Sequence, residues 1–107
     1  MTLFQMETAG QIIRKKRESL GLLIRQVAAI LDIDPAILSK IERNERKPNK
    51  KIILKLSETL NIDKDELLAQ YISDVIAKDI AYEKCAGRVL KLAEKKVQYL
   101  KKQEVII

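Results

Sequence analysis

The stretch Leu31–Pro48, LDIDPAILSKIERNERKP, decides how this chain is read. Asp34 offers a side-chain oxygen to the bare N–H groups of a first helical turn, and Pro35 fits the next position, where its missing N–H costs nothing. From there a third helix is expected to run to about Arg43, with Leu38 and Ile41, three apart, turned to a core. Its end is different in kind. Lys40, Arg43, Arg46 and Lys47 crowd the last turn and the loop NERKPN, where Asn44 suits a left-handed cap and Pro48 blocks continuation. Between Lys40 and Lys51 six Lys/Arg stand against two Asp/Glu.

Upstream, Thr8 is a plausible N-cap for a first helix with Ile12, Ile13 and Leu20 on one face, ending near Gly21. Its cations Arg14, Lys15, Lys16 and Arg17 lie in the second half, at the negative end of the helix dipole. A second helix, Ile24 to Leu31, sets Ile24, Val27, Ala28 and Leu31 at helical spacing and stops before the three-residue connection Asp32-Ile33-Asp34. Downstream, Asn49 caps a fourth helix carrying Ile52, Ile53, Leu56 and Leu60, and residues 61–63 separate it from a fifth that begins near Lys64. Two short helices joined by a three-residue turn match the helix-turn-helix, whose second helix enters the major groove of DNA. Leu38 and Ile41 would face the core, while Pro35, Ala36, Ile37, Ser39 and Lys40 include the open face. An ordinary helical hairpin produces the same pattern with no nucleic acid.

Composition sets the outer bounds. The 107 residues make one domain, or a small domain with an appendage, and 47% hydrophobic content supplies a core. Only three Gly and two Pro, with Ala, Leu, Ile, Lys and Glu dominant, predict an all-α fold. Residues 1–62 hold twelve Lys/Arg against seven Asp/Glu, and residues 63–107 nine against eight, so the excess of the +6 net charge sits in the first part. Clustered cations point to a polyanion; a solvated basic face is the plainer alternative. There is no His and Cys85 is the sole Cys, which rules out a Cys/His zinc site and an intrachain disulfide, and no metal or cofactor is expected. Cys85 is most simply a small apolar residue in a reducing cytoplasm, near the nucleoid if the partner is DNA. Gly10, Gly21 and Gly87 are too far apart for a phosphate loop, so an enzyme is not expected. No apolar run approaches the roughly 20 residues of a membrane span, and no signal-peptide pattern opens the chain.

The residues "IIRKKRESLGL", "VAAILDIDPAILSKIERNERKP" and "IILKLSETLNIDKDELL", covering about Ile12 to Leu68, resemble the lambda-repressor-like helix-turn-helix family, the Cro/C1 or xenobiotic-response-element type. The resemblance implies a five-helix DNA-binding domain, residues 8–68, acting as a dimeric transcriptional regulator. It also implies base contacts from Pro35, Ala36, Ile37, Ser39 and Lys40, and phosphate contacts from Arg43, Asn44, Arg46 and Lys47. Arg17 and Glu42 align with an Arg–Glu pair that locks the first helix to the third. The family's usual Ser/Thr-Gln start of the second helix is here Leu23-Ile24, leaving Arg25 or Gln26 to reach a phosphate. With only Ser39 and Lys40 able to hydrogen-bond a base edge, specificity would lean on DNA shape.

The remaining residues, 69–103, are expected to form a helical extension. Tyr71, Ile72, Val75 and Ile76 are more apolar than a solitary helix can expose. Ala86, Leu90, Ala93, Val97 and Leu100 follow at spacings of 4, 3, 4 and 3, an a/d seam of about two heptads. Gly87 could mark a break or a close helix crossing. The seam suits a homodimer, since DNA readers of this type bind paired half-sites; a helix folded back on its own domain is the alternative. The functional expectation is a DNA-binding repressor acting as a dimer on a palindromic operator, in a setting such as restriction–modification. Its rival is the antidote subunit of a toxin pair, gripping a protein partner through the tail. RNA binding is weaker, because Phe4, Tyr71, Tyr82 and Tyr99 are scattered.

Overall fold

The computed structural model describes residues 6–106, with side chains as far as residue 103; Phe4 lies outside them. Six helices and no strand occur among the described residues: α1 (Ala9–Ser19), α2 (Ile24–Leu31), α3 (Pro35–Glu42), α4 (Lys50–Leu60), α5 (Lys64–Ile80) and α6 (Ala86–Ile106). None of them is long and apolar enough to cross a membrane. Two compact units divide between Asp74 and Val75.

Side-chain caps start α1, α3, α4 and α5. Thr8 Oγ1 accepts from Gln11 N while Gln11 Oε1 accepts from Thr8 N, a reciprocal pair that opens α1. Asp34 Oδ1 accepts from Ala36 N at 2.7 Å, Asn49 Oδ1 from Ile52 N at 2.8 Å and Asp63 Oδ2 from Glu66 N at 2.9 Å. Each satisfies one N–H that the first turn leaves without a partner.

The first four helices also end alike. Gly21, Asp32, Asn44 and Asn61 all have positive φ, between 55° and 70°. In each case the next N–H bonds a carbonyl five residues back: Leu22 to Arg17, Ile33 to Ala28, Glu45 to Lys40 and Ile62 to Ser57, at 2.8–3.1 Å. This is the Schellman ending, in which the residue after the left-handed one commonly tucks against the helix. Leu22, Ile33 and Ile62 do so and pack on the core.

That core joins α1 to α5 in the first unit. Ile13, Val27, Leu38, Ile53, Leu56, Leu60 and Leu67 are fully enclosed, each contributing roughly 1.5–3 kcal/mol by leaving water. Gly10 sits where α1 crosses the end of α3. A Cβ there would stand 2.4 Å from the Ile41 carbonyl oxygen and 2.7 Å from that of Glu42.

The first unit extends beyond the expected boundary at Leu68. Tyr71 packs on its core and donates its hydroxyl to the Pro48 carbonyl, and Asp74 Oδ2 accepts from Ala9 N at 2.8 Å. The sequence resemblance ends at Leu68, before both residues, so nothing in it places them in the first unit. The break between α5 and α6 lies at residues 81–85, and Gly87 is helical with open space where its Cβ would be. Gly87 therefore does not mark the break, and no described residue of the same chain crosses closely at it.

Candidate nucleic-acid interface

The placement of α3 depends on a buried ion pair. Arg17 Nε donates to Glu42 Oε2 at 2.7 Å and Nη2 to Oε1 at 3.0 Å, while Nη1 donates to the Leu22 carbonyl at 2.8 Å. The planar guanidinium thus ties the end of α1 to the end of α3 and to the turn before α2. Its hydrogen bonds to Glu42 raise the Arg17 pKa, against the opposing effect of burial. Gly10 lets the same two helices approach closely, so one side of α3 is held by packing and charge together. With Leu38, Ile41 and Glu42 buried, the helix turns its start outward.

Pro35, Ala36 and Lys40 are exposed on that outward side, whereas Ile37 and Ser39 are half-buried. Ile37, four residues before Ile41 and therefore on the same side, leans on the core, so it offers a thymine methyl only part of its surface. Ser39 is engaged too: Arg43 Nη1 donates to its Oγ at 2.5 Å. Arg43 is a second departure from expectation, because Glu45 holds it through Nε–Oε2 at 2.7 Å and Nη2–Oε1 at 3.5 Å. The bond to Glu45 raises the Arg43 pKa, and the bond to Arg43 lowers that of Glu45. Arg46 and Lys47 are exposed in the loop, and Lys50 and Lys51 are exposed on the first turn of α4. Asn44 is half-buried and uses its backbone N–H on the Ile41 carbonyl.

At the start of α2, Leu23 has no side-chain acceptor, and Gln26 Oε1 accepts from Leu23 N at 2.8 Å. Gln26 is thereby the capping residue of its own helix, with its NH2 end left for another acceptor. Arg25 is exposed beside it. The basic loop is braced from behind, since Tyr71 bonds its Pro48 carbonyl and Pro48 itself is buried. Tyr71, expected in a dimer interface, is committed to its own unit because its hydroxyl finds that carbonyl within reach.

Of the other residues expected between copies, Ile72, Ile76, Leu90, Ala93, Val97 and Leu100 are exposed and Val75 is half-buried. Leu92, Tyr82 and Tyr99, absent from the expected set, are exposed as well. Sequence reasoning also missed Gly10, Glu45 and Asp74. Only Gly10 left a signal, as a glycine inside the first turn of an otherwise strong helix.

A helix-turn-helix family model matches residues 13–67, half of the chain. The HTH-type transcriptional repressor RghR of Bacillus subtilis (strain 168) is 32% identical across 95% of this chain and 86% of its own length. Among solved structures, a chain of the SinR protein/SinI protein complex is similar in fold, with TM-score 0.52 and 21% identity over 92% of this chain and 99% of that one. A short α2, a tight turn, an α3 with an exposed start and a basic loop after it are the parts a major-groove reader needs. With that geometry, the family match and the repressor relative together, the chain belongs to the lambda-repressor-like helix-turn-helix family of DNA-binding transcriptional regulators.

Proposed function

We propose that this chain represses transcription by binding, as a homodimer, a palindromic operator in double-stranded DNA. The observation that carries the reading is the outward start of α3 lying in one unit with the cations of the following loop. Pro35, Ala36, Ile37, Ser39 and Lys40 then approach base edges, and Arg25, Gln26, Asn44, Arg46 and Lys47 approach phosphates, while Arg43 is held by Glu45. Ile72, Val75, Ile76, Leu90, Ala93, Val97 and Leu100 supply apolar surface for the second copy, whose two-fold axis relates two half-sites. Selection from random duplexes tests the first half of the proposal: an enriched, roughly palindromic motif with salt-sensitive binding is expected. Equal binding to every duplex would refute it. Sedimentation tests the second half. The intact chain is expected to dimerise, and changing Leu90, Val97 and Leu100 together to Gln to give monomers with about 10²-fold weaker operator binding. A variant that still dimerises would move the interface elsewhere.

A second reading, a protein partner on the extension, is favoured by one observation. The similar solved structure is a complex of two proteins, SinR and SinI, and Leu90, Leu92, Tyr99 and Leu100 are exposed here. A stoichiometric second protein on purification of the native chain would support it.

A further inference from the structure

Three of the four Schellman endings place an apolar residue after the left-handed one, and the fourth does not. Leu22, Ile33 and Ile62 pack on the core; after Asn44 the same position holds Glu45, exposed to water. Glu45 is the single acidic residue between Arg43 and Lys51, among five cations of the surface expected to meet phosphates. Its backbone is held by the bond from Glu45 N to the Lys40 carbonyl, at 2.8 Å, so the carboxylate sits beside the end of α3. There it takes the two donors of Arg43 described above, and the third Arg43 donor, at 2.5 Å, reaches Ser39 Oγ on the outward side of α3. A carboxylate in this position has a cost on any DNA-binding surface, because it repels phosphates and occupies a cation.

We propose that Glu45 is a specificity-determining residue, which turns Arg43 toward Ser39 and away from the phosphates and so lowers affinity for random DNA more than for the operator. The proposal rests on the DNA-binding reading above. Random DNA is held by phosphate contacts alone, each contributing to the salt slope, whereas the operator adds base contacts. An Arg43 clasped by Glu45 subtracts one phosphate contact from both. It returns something only on the operator, by orienting Ser39 through the bond to its oxygen and leaving the hydroxyl proton for a base acceptor. Removing the carboxylate therefore strengthens the contact common to all sequences and loosens the one that reads sequence.

The test uses the full chain as wild type, Glu45→Gln, Arg43→Ala and the double variant. Each is titrated with the duplex enriched by selection and with a scrambled duplex of equal length. Glu45→Gln is expected to bind the scrambled duplex several-fold more tightly at low salt. From about 50 to about 200 mM salt it should lose roughly threefold more affinity than wild type does, the signature of one added phosphate contact. The selected duplex should gain less, so the ratio of the two affinities falls. With Arg43 already Ala, Glu45→Gln removes only the direct repulsion of phosphates, so both duplexes should gain alike, by less than in the Arg43 background, and the ratio should not change. Independently of DNA, the Glu45 carboxyl followed by NMR should titrate below its ordinary range in wild type, chiefly through the Arg43 hydrogen bond, and rise toward that range in Arg43→Ala, where Lys40 still lowers it. An equal gain in both Arg43 backgrounds, an equal gain on both duplexes, or an undisplaced Glu45 carboxyl would overturn the assignment. A wild-type chain that binds neither duplex would overturn the DNA-binding reading and this proposal with it. Binding with no interaction between the two substitutions overturns the role of Glu45 alone.

Discussion

Gly10→Ala reverses the usual expectation for a helix. At the second residue of α1, alanine gains about 0.5–1 kcal/mol from propensity and lost unfolded-state freedom. The new Cβ, however, would lie 2.4 Å from the Ile41 oxygen, 2.7 Å from the Glu42 oxygen and 3.0 Å from the Glu42 carbonyl carbon. Carbon–oxygen contacts settle at about 3.3–3.6 Å, so α1 and the end of α3 must separate by nearly 1 Å. All three opposing atoms belong to the backbone, so no side-chain rotation relieves the clash. Overpacking of this kind costs about 1–3 kcal/mol, which leaves a net loss of up to roughly 2.5 kcal/mol. The separation also strains the 2.7 Å and 3.0 Å bonds between Arg17 and Glu42, tilting α3, so operator affinity falls with stability. Urea melts of Gly10→Ala beside wild type measure the effect. A Gly10→Ala protein as stable as wild type, or more so, would refute the argument.

Arg17→Met leaves Glu42 buried without its partner and should cost about 3–5 kcal/mol in urea melts, while Arg17→Met with Glu42→Leu should recover much of it; simple additivity would deny the coupling. Lys40→Ala should cost on the order of 1–3 kcal/mol on the selected duplex and relax one position of the motif. Lys47→Ala should instead weaken all duplexes alike and shallow the salt slope by about one; matching profiles for the two would reassign Lys40 to the backbone. Tyr71→Phe should lose about 1 kcal/mol of stability, read by thermal or urea unfolding, and weaken binding to all duplexes together as the basic loop loses its brace. Unchanged binding would place the loop's support elsewhere.

The elements were legible because their ends are written in local chemistry. Thr8, Asp34 and Asn49 are capping residues whose partners lie two or three positions away, and Gly21 and Asn44 suit a left-handed backbone. Leu38 and Ile41 follow from periodicity, and the Arg17–Glu42 partnership came with the family resemblance. The illegible features are those made between distant segments or by side-chain choice among neighbours. Nothing local marks Asp74 as the acceptor for Ala9 N, or Tyr71 as the donor to Pro48. The charge of Arg43 is visible in the sequence and suggests a phosphate ligand, whereas its commitment to Glu45 depends on the turn that brings the two together. The place of Ile37 at the start of α3 suggests an outward side chain, but its spacing to Ile41 sets it partly against the core.

The bond between Ala9 and Asp74 joins residues 65 apart and involves nearly the first and the last residues of its unit. Cutting the chain before Asp74 would leave the Ala9 N–H, buried at the start of α1, without its acceptor, at a cost of roughly 1–3 kcal/mol. A fragment trimmed to the family match at residue 67 loses that bond and the Tyr71 bond to Pro48 together. The minimal DNA-binding unit therefore reaches Asp74, past the end of the family match.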